Sequence, residues 1–281
     1  MLQDIAPKTF YNQYAHESAQ DDDYIIIYAK EMIIFSLEMK IPRFCDLPNA
    51  WKIEKEGLIY LFSVDTKRYF LCLKHVCITD GFSAHGTYTM RTIEPMWLAF
   101  AASTAGHLAK WYEQNQFCGC CGAKTIHSDT ERALICTMCD MIKYPSIAPC
   151  VIVGIIDGDR ILMTKYSSSH HRYALVAGFV EIGETLEQCV MREVMEEVGI
   201  KVKNLKYYAS QPWPFSGSLL MGFFAELDGD DALTIDRTEL SDGRWFHRDE
   251  IPAGDSVLSL TWTMIEAFRE NRHMDEVIVY S

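Results

Sequence analysis

The stretch "GFVEIGETLEQCVMREVMEEVGI", Gly178 to Ile200, decides how the chain is read. Thr185 and Gln188 stand three residues apart ahead of an apolar-periodic run, which is the spacing of a capping box and starts a helix near Thr185. Gly199 is the expected stop, because the residue after a helix favours a left-handed backbone that glycine adopts without strain. Val190, Val194 and Val198 recur at i, i+4 and i+8 and should face a core. At about 100° per residue, Glu193, Glu196 and Glu197 fall within an arc of roughly 100° beside that stripe. Three carboxylates on one face repel one another unless cations sit among them, and an all-oxygen donor set favours Mg²⁺ or Mn²⁺. Arg192 precedes Glu196 by four residues and can orient it by pairing. Glu184, at the helix entry, either holds the loop or adds a ligand.

The surrounding chain reads as α/β. "CVIVGIIDGDRILMTKY" (Cys150–Tyr166) gives two strands joined at Asp157-Gly158. Strands near Lys203–Ser210 and Leu219–Leu227 and a last helix over about Leu258–Arg269 follow. Upstream, "YIIIYA" (Tyr24–Ala29), "MIIFSLE" (Met32–Glu38), "GLIYLFSV" (Gly57–Val64) and "RYFLCL" (Arg68–Leu73) are strand-like runs between turns. From Glu94 to Gln114 the period turns helical, through Leu98, Ala101, Ala105, Leu108 and Trp111. These readings divide the chain into a β-rich N-terminal domain ending in a helix (1–115), a cysteine-rich segment (116–146) and an α/β domain (147–281).

In the middle segment Cys118/Cys121 and Cys136/Cys139 form two C-x-x-C pairs fourteen residues apart. Two such knuckles assemble four thiolates into a tetrahedron suited to structural zinc, with no open position for water. Cys120 lies inside the first pair and could compete, but only Cys118/Cys121 mirrors the Cys136/Cys139 spacing. The other five cysteines (Cys45, Cys72, Cys77, Cys150 and Cys189) read as small core residues.

The formal net charge of −13 over 281 residues argues against a generic DNA-binding surface and makes an anionic substrate awkward without a metal or local cations. No apolar run approaches the ~20 residues of a membrane span. The start, "MLQDIAPKTF", lacks the basic-then-apolar pattern of a signal peptide, so a cytoplasmic setting with reduced thiols is expected.

Residues Gly178, Glu184, Arg192, Glu193, Val194, Glu196, Glu197, Gly199 and Ile200 satisfy G-x5-E-x7-R-E-U-x-E-E-x-G-U at every position, U being aliphatic. The segment thereby resembles the Nudix hydrolases. The resemblance implies an α/β/α sandwich over about 147–281 and hydrolysis of a nucleoside diphosphate joined to another group. It implies Glu193 and Glu197 as the main divalent-ion ligands, Glu196 as an assistant, and one carboxylate, Glu197 foremost, in activating water. The zinc-ribbon segment, the extra N-terminal region and "SQPWPFSGS" (Ser210–Ser218) together resemble the NADH pyrophosphatase branch of that family, whose motif is S-Q-P-W-P-F-P-x-S; Ser216 replaces the third proline. This resemblance runs from about Glu94 onward; before it only a β-rich accessory domain is implied. Carried over by position, it implies Glu239 as a further metal ligand, and Glu131, Tyr144, Ala177, Phe179, Gln211, Pro212, Trp213, Pro214, Phe215 and Ser218 as substrate contacts. Trp213 and Phe215 each offer a flat face that can stack on a ring or pack beneath the loop. His170 and His171 could meet phosphate, although exposed loop histidines ordinarily have no specific role.

The implied reaction cuts the pyrophosphate of NAD(H) to nicotinamide mononucleotide and AMP, or the same bond in NAD caps at RNA 5′ ends, in a homodimer. No G-x-G-x-x-G follows a strand, so the dinucleotide is read as substrate and not as redox cofactor. The competing readings are another Nudix substrate such as ADP-ribose, and a non-catalytic ribbon module; the complete glutamate set argues against the second.

Overall fold

A computed structural model describes residues 1–167, 173–251 and 258–273. Contacts group the chain into two units: Leu2–Ser146 with Pro214–Gly217, and Met1 with Ile147–Trp213 and Ser218–Ser281.

The first unit carries strands β1 (Phe10–Tyr11), β2 (Tyr24–Ala29), β3 (Met32–Ser36), β4 (Ile59–Val64), β5 (Lys67–Cys72) and β6 (Phe82–Gly86), then helix α1 (Met96–Gln114). Its six-stranded sheet has the order β1-β4-β5-β2-β3-β6. The β-branched and aromatic runs supply its core, with Ile25, Ile27, Tyr60 and Phe70 in one buried cluster. On α1 the expected stripe is enclosed at Leu98, Ala101, Ala105 and Trp111. A three-stranded sheet follows, of β7 (Thr125–His127), β8 (Leu134–Cys136) and β9 (Ile142–Lys143). It is too small to bury a core of its own, which is where a metal cross-link is needed.

The second unit is built on β10 (Ala148–Asp157), β11 (Arg160–Tyr166), β12 (Val176–Phe179), helix α2 (Leu186–Val198), β13 (Val202–Trp213), β14 (Ser218–Leu227), β15 (Leu240–His247) and helix α3 (Leu260–Arg269). The sheet runs β13-β14-β10-β11-β15, and β12 also pairs with β10. β10 and β14 are parallel; the other pairs are antiparallel. The unbroken apolar run of β10 is explained by its two buried faces. Its Cys150, Ile152 and Ile156 join a cluster with Leu260, Met264 and Phe268 of α3. The alternating Val151, Val153 and Ile155 join another with Val190, Val194 and Val198 of α2. A helix on each face of one sheet is an α/β/α sandwich, as expected from the box.

Two details differ from the expectation. The β10–β11 turn is Gly158–Asp159, one residue later than Asp157-Gly158, since Asp157 pairs with Arg160. Strand β13 continues through Pro212 to Trp213, which pairs with Ser218. Proline is tolerated there because β13 is an edge strand. "PWPFSG" is therefore the end of a β-hairpin whose tip is Pro214–Gly217.

Candidate active site and zinc ribbon

Helix α2 begins where its sequence says. Thr185 Oγ1 accepts the Gln188 amide at 3.2 Å, and Gln188 Oε1 accepts the Thr185 amide at 2.9 Å. Gly199 ends the helix at φ 72°, and a Cβ there would lie 2.7 Å from Thr234 Cβ, so both backbone conformation and packing require glycine.

The three glutamates differ sharply in exposure. Glu197 is 2% exposed, the Glu193 side chain 12% and that of Glu196 58%. The helical wheel accounts for the gradient: Glu197 lies only about 20° from Val190, whereas Glu196 points about 100° further round. Burial raises the Glu197 carboxyl from 4.5 to about 8, with Glu193, Glu239 and Asp236 adding to the effect. Burial also raises Glu193, against the pull of Arg192. Among the described residues neither Glu197 carboxylate oxygen has a hydrogen-bond partner. A buried carboxyl without a partner is costly, and a hard cation among oxygen donors removes that cost.

Arg192 organises the cluster. It donates to Glu184 Oε1 and Oε2 at 2.8 and 2.9 Å, to Glu193 Oε1 at 2.7 Å, to Glu196 Oε2 at 3.0 Å and to the Phe179 carbonyl at 2.9 Å. Glu184 is held well down, to about 2, first by Arg192 and then by the Glu181 amide, which it accepts at 3.0 Å. Of the two roles open to Glu184, it holds the loop. Gly178 makes room for Glu193: a Cβ on it would lie 1.9 Å from Glu193 Cδ. Glu239 reaches the cluster because the segment before it hydrogen-bonds to the end of α2, with Thr234 and Asp236 amides donating to the Val198 and Glu197 carbonyls at 2.9 Å each.

Sequence reasoning missed Asp236 and Tyr166. Burial raises the Tyr166 phenol, and Glu197 adds to the shift; its hydroxyl donates to the Ala177 carbonyl at 3.3 Å. Neither residue lies in the box, and only the tertiary fold brings them to it.

Among the implied substrate contacts, Phe179 is exposed and Ala177 half-buried on β12. Gln211 is fully buried. Its Nε2 donates to the Leu258 carbonyl at 2.9 Å and its Oε1 accepts the Leu260 amide at 2.7 Å, so its side chain clamps the start of α3. Pro212 is exposed and Pro214 half-buried, Ser218 is buried, and Trp213 packs partly buried against the α3-side cluster. Within the N-terminal unit, the Phe215 ring lies 6.1 Å from Tyr88 at 23°, with the Arg91 guanidinium 5.8 Å from it. Glu131 and Tyr144 also belong to that unit, where the Tyr144 hydroxyl donates to Glu131 Oε1 at 3.0 Å. His170 and His171 lie outside the described residues.

The Cys118, Cys121, Cys136 and Cys139 sulfurs all lie within 4.8 Å of one another. Cys118–Cys139 and Cys121–Cys136 are 3.7 and 3.4 Å apart. Zn–S bonds of about 2.3 Å in a tetrahedron place sulfurs about 3.8 Å apart, so the set fits zinc. Amides of Cys120 and Met138 donate to Cys118 and Cys136 Sγ at 3.3 and 3.4 Å, the same turn in both knuckles. Backbone N–H groups, foremost that of Met138, lower the Cys136 thiol to about 6. Cys120 is not one of the four converging thiols. The glutamates do not converge to this degree in the present arrangement, in which Arg192 takes one oxygen each of Glu193 and Glu196.

Residues 147–266 match the NUDIX domain family, and residues 113–144 match the NADH pyrophosphatase zinc ribbon domain. The chain carries a Nudix domain preceded by a zinc ribbon. Curated relatives include proteins named NAD-capped RNA hydrolase NudC from Photorhabdus laumondii, 49% identical over 148 residues, and from Erwinia tasmaniensis, 51% identical over the same length. The aligned segment spans 52% of this chain and 56% of each of these relatives, little more than half their length. A NUDIX hydrolase crystal structure from Nitrosomonas europaea superposes with a TM-score of 0.50 at 27% identity, covering 59% of this chain and 96% of that one. Among the described residues no helix is long and apolar enough to cross a membrane.

Proposed function

We propose that this Nudix protein hydrolyses the pyrophosphate bond of NAD(H), giving nicotinamide mononucleotide and AMP, and cuts the same bond in NAD caps on RNA. The observation that carries the reading is Glu197, a buried carboxyl without a partner, set among Glu193, Glu196 and Glu239 on a complete Nudix helix. The ribbon family and the named relatives supply the substrate class. Glu193, Glu196, Glu197 and Glu239 would hold Mg²⁺ or Mn²⁺. Such an ion, when bound, neutralises the phosphates and lowers the pKa of water.

The chain's own residues have distinct tasks. Arg192 fixes Glu193 and Glu196, and Gly178 leaves space for Glu193. Glu197, ionised in the loaded site, takes the proton of the attacking water. The new P–O bond forms on one phosphorus, and the anhydride oxygen leaves with the other phosphate. Phe179 presents an exposed ring on which a base or nicotinamide can stack. Trp213, part of the core packing, stiffens the hairpin. The reading includes a cytoplasmic homodimer, for which sedimentation is the check on oligomeric state.

Incubation with NADH, NAD-capped RNA and ADP-ribose in parallel, each with Mg²⁺ or Mn²⁺, tests the assignment. Release of nicotinamide mononucleotide with AMP or 5′-phosphorylated RNA is expected. A clear preference for ADP-ribose would overturn the substrate while sparing the hydrolase class.

A further inference from the structure

The N-terminal unit carries a half-open cavity of about 790 Å³ between β2, β5, the 36–43 connection and the start of α1. That volume lies within the range of small-molecule sites, roughly 300–1,000 Å³. Three cations line it. Lys40 is paired with Glu38 at 2.5 Å, and Arg43 with Asp46 and Asp22 at 2.9 and 3.1 Å. Lys67 differs: among the described residues its ammonium makes no ion pair or hydrogen bond, and it lies 5.2 Å from the Tyr24 ring centre and 5.7 Å from that of Trp97. The acid that feels it, Asp65, is held by Lys8 at 2.7 Å. In a chain of net charge −13, an unpaired cation kept against two aromatic faces is a place prepared for an anion.

Two further wall residues bear on the ligand. Tyr69 stacks on Tyr24 at 5.2 Å and is fully buried, with a hydroxyl that has no partner among the described residues. Buried hydroxyls are ordinarily hydrogen-bonded. Glu94 is an exposed carboxylate without an ion pair among the described residues, able to accept from an amino group or a sugar hydroxyl. A cation, an acceptor and flat apolar walls together match a base that carries a phosphate.

We propose that this cavity is a second ligand site and takes a nucleotide, with its phosphate on Lys67 and its base against the Trp97 wall. The same chemistry belongs to a free mononucleotide and to one nucleotide of a single strand. The proposal does not rest on the hydrolase reading.

The test is equilibrium dialysis of the full chain, zinc retained and no Mg²⁺ or Mn²⁺ added, against AMP and 5′-phosphorylated penta-adenylate, with adenosine and inorganic phosphate as partial ligands. AMP should bind at one site per chain that weakens at least tenfold in Lys67→Gln and in Trp97→Leu, and adenosine and phosphate alone should each bind at least tenfold more weakly. Tighter binding of the pentamer assigns a strand, and equal or weaker binding a free nucleotide. Lys67 is exposed at the start of β5, so Lys67→Gln should fold and turn over NADH normally even if Trp97→Leu does not fold. No AMP binding at millimolar concentration, or binding undiminished in Lys67→Gln, would overturn the proposal and leave the hydrolase reading standing. Lost turnover in Glu197→Gln has no bearing on it.

Discussion

The ribbon gathers four thiols and helix α2 three carboxyls, which Glu239 joins from outside the helix, and they do so in opposite ways. The ribbon's sulfurs already sit at nearly the spacing zinc imposes, steadied by backbone amides. The glutamates are spread between solvent and core, tied in part to Arg192, and one is buried with nothing to bond. A closed thiolate cage leaves no coordination position for substrate and acts as a cross-link. An open carboxylate cluster that is costly until a cation arrives is poised for chemistry.

This contrast can be broken or sharpened by experiment. The largest effect is expected from Cys136→Ser. Structural zinc in small domains contributes on the order of 10 kcal/mol to folding, so zinc content should drop from about one per chain to near zero and the ribbon should lose protease resistance. If zinc remains, the cage is misassigned. Next comes Glu197→Gln in metal-free protein. Its carboxyl is raised from 4.5 to about 8 in the fold. A raised folded pKa means stability that is fully present below 4.5 and lost as pH rises toward 8. The glutamine variant should therefore be more stable than the parent at pH 8, by up to a few kcal/mol, with a higher Tm, and lose this pH dependence. Equal melting of the two at pH 8 would show that the carboxyl is not strained.

Gly178→Ala should fold, yet displace the Glu193 carboxylate; a shift of about 1 Å costs on the order of 10²-fold in rate. Unchanged kcat would mean that Glu193 need not sit where it does. The smallest effect belongs to Thr185→Ala, which removes one cap bond, about 1 kcal/mol, and should lower Tm without altering KM.

The sequence made α2 readable almost to the residue, because caps, valine stripe and acid face are all local patterns. Thr185, Gly199 and Val190/Val194/Val198 do what their spacing says. The burial of β10 on both faces was equally open to reading from its unbroken apolar run. What escaped is non-local. Asp236 and Tyr166 come to the cluster through the path of the 228–239 segment and of β11. Gln211 sits in a motif rich in ligand-like residues, and only the position of α3 shows that its amide is occupied. The steric need for Gly178 depends on how β12 lies against α2, which no spacing rule contains.

The central claim is that the buried carboxylate of α2 drives cleavage of a dinucleotide. The most direct test compares kcat for NADH between the parent and Glu197→Gln at saturating Mn²⁺, with circular dichroism confirming the fold. The account predicts a loss of about 10³-fold or more, roughly 4 kcal/mol of barrier, with zinc content unchanged. Turnover within a fewfold of the parent would contradict it.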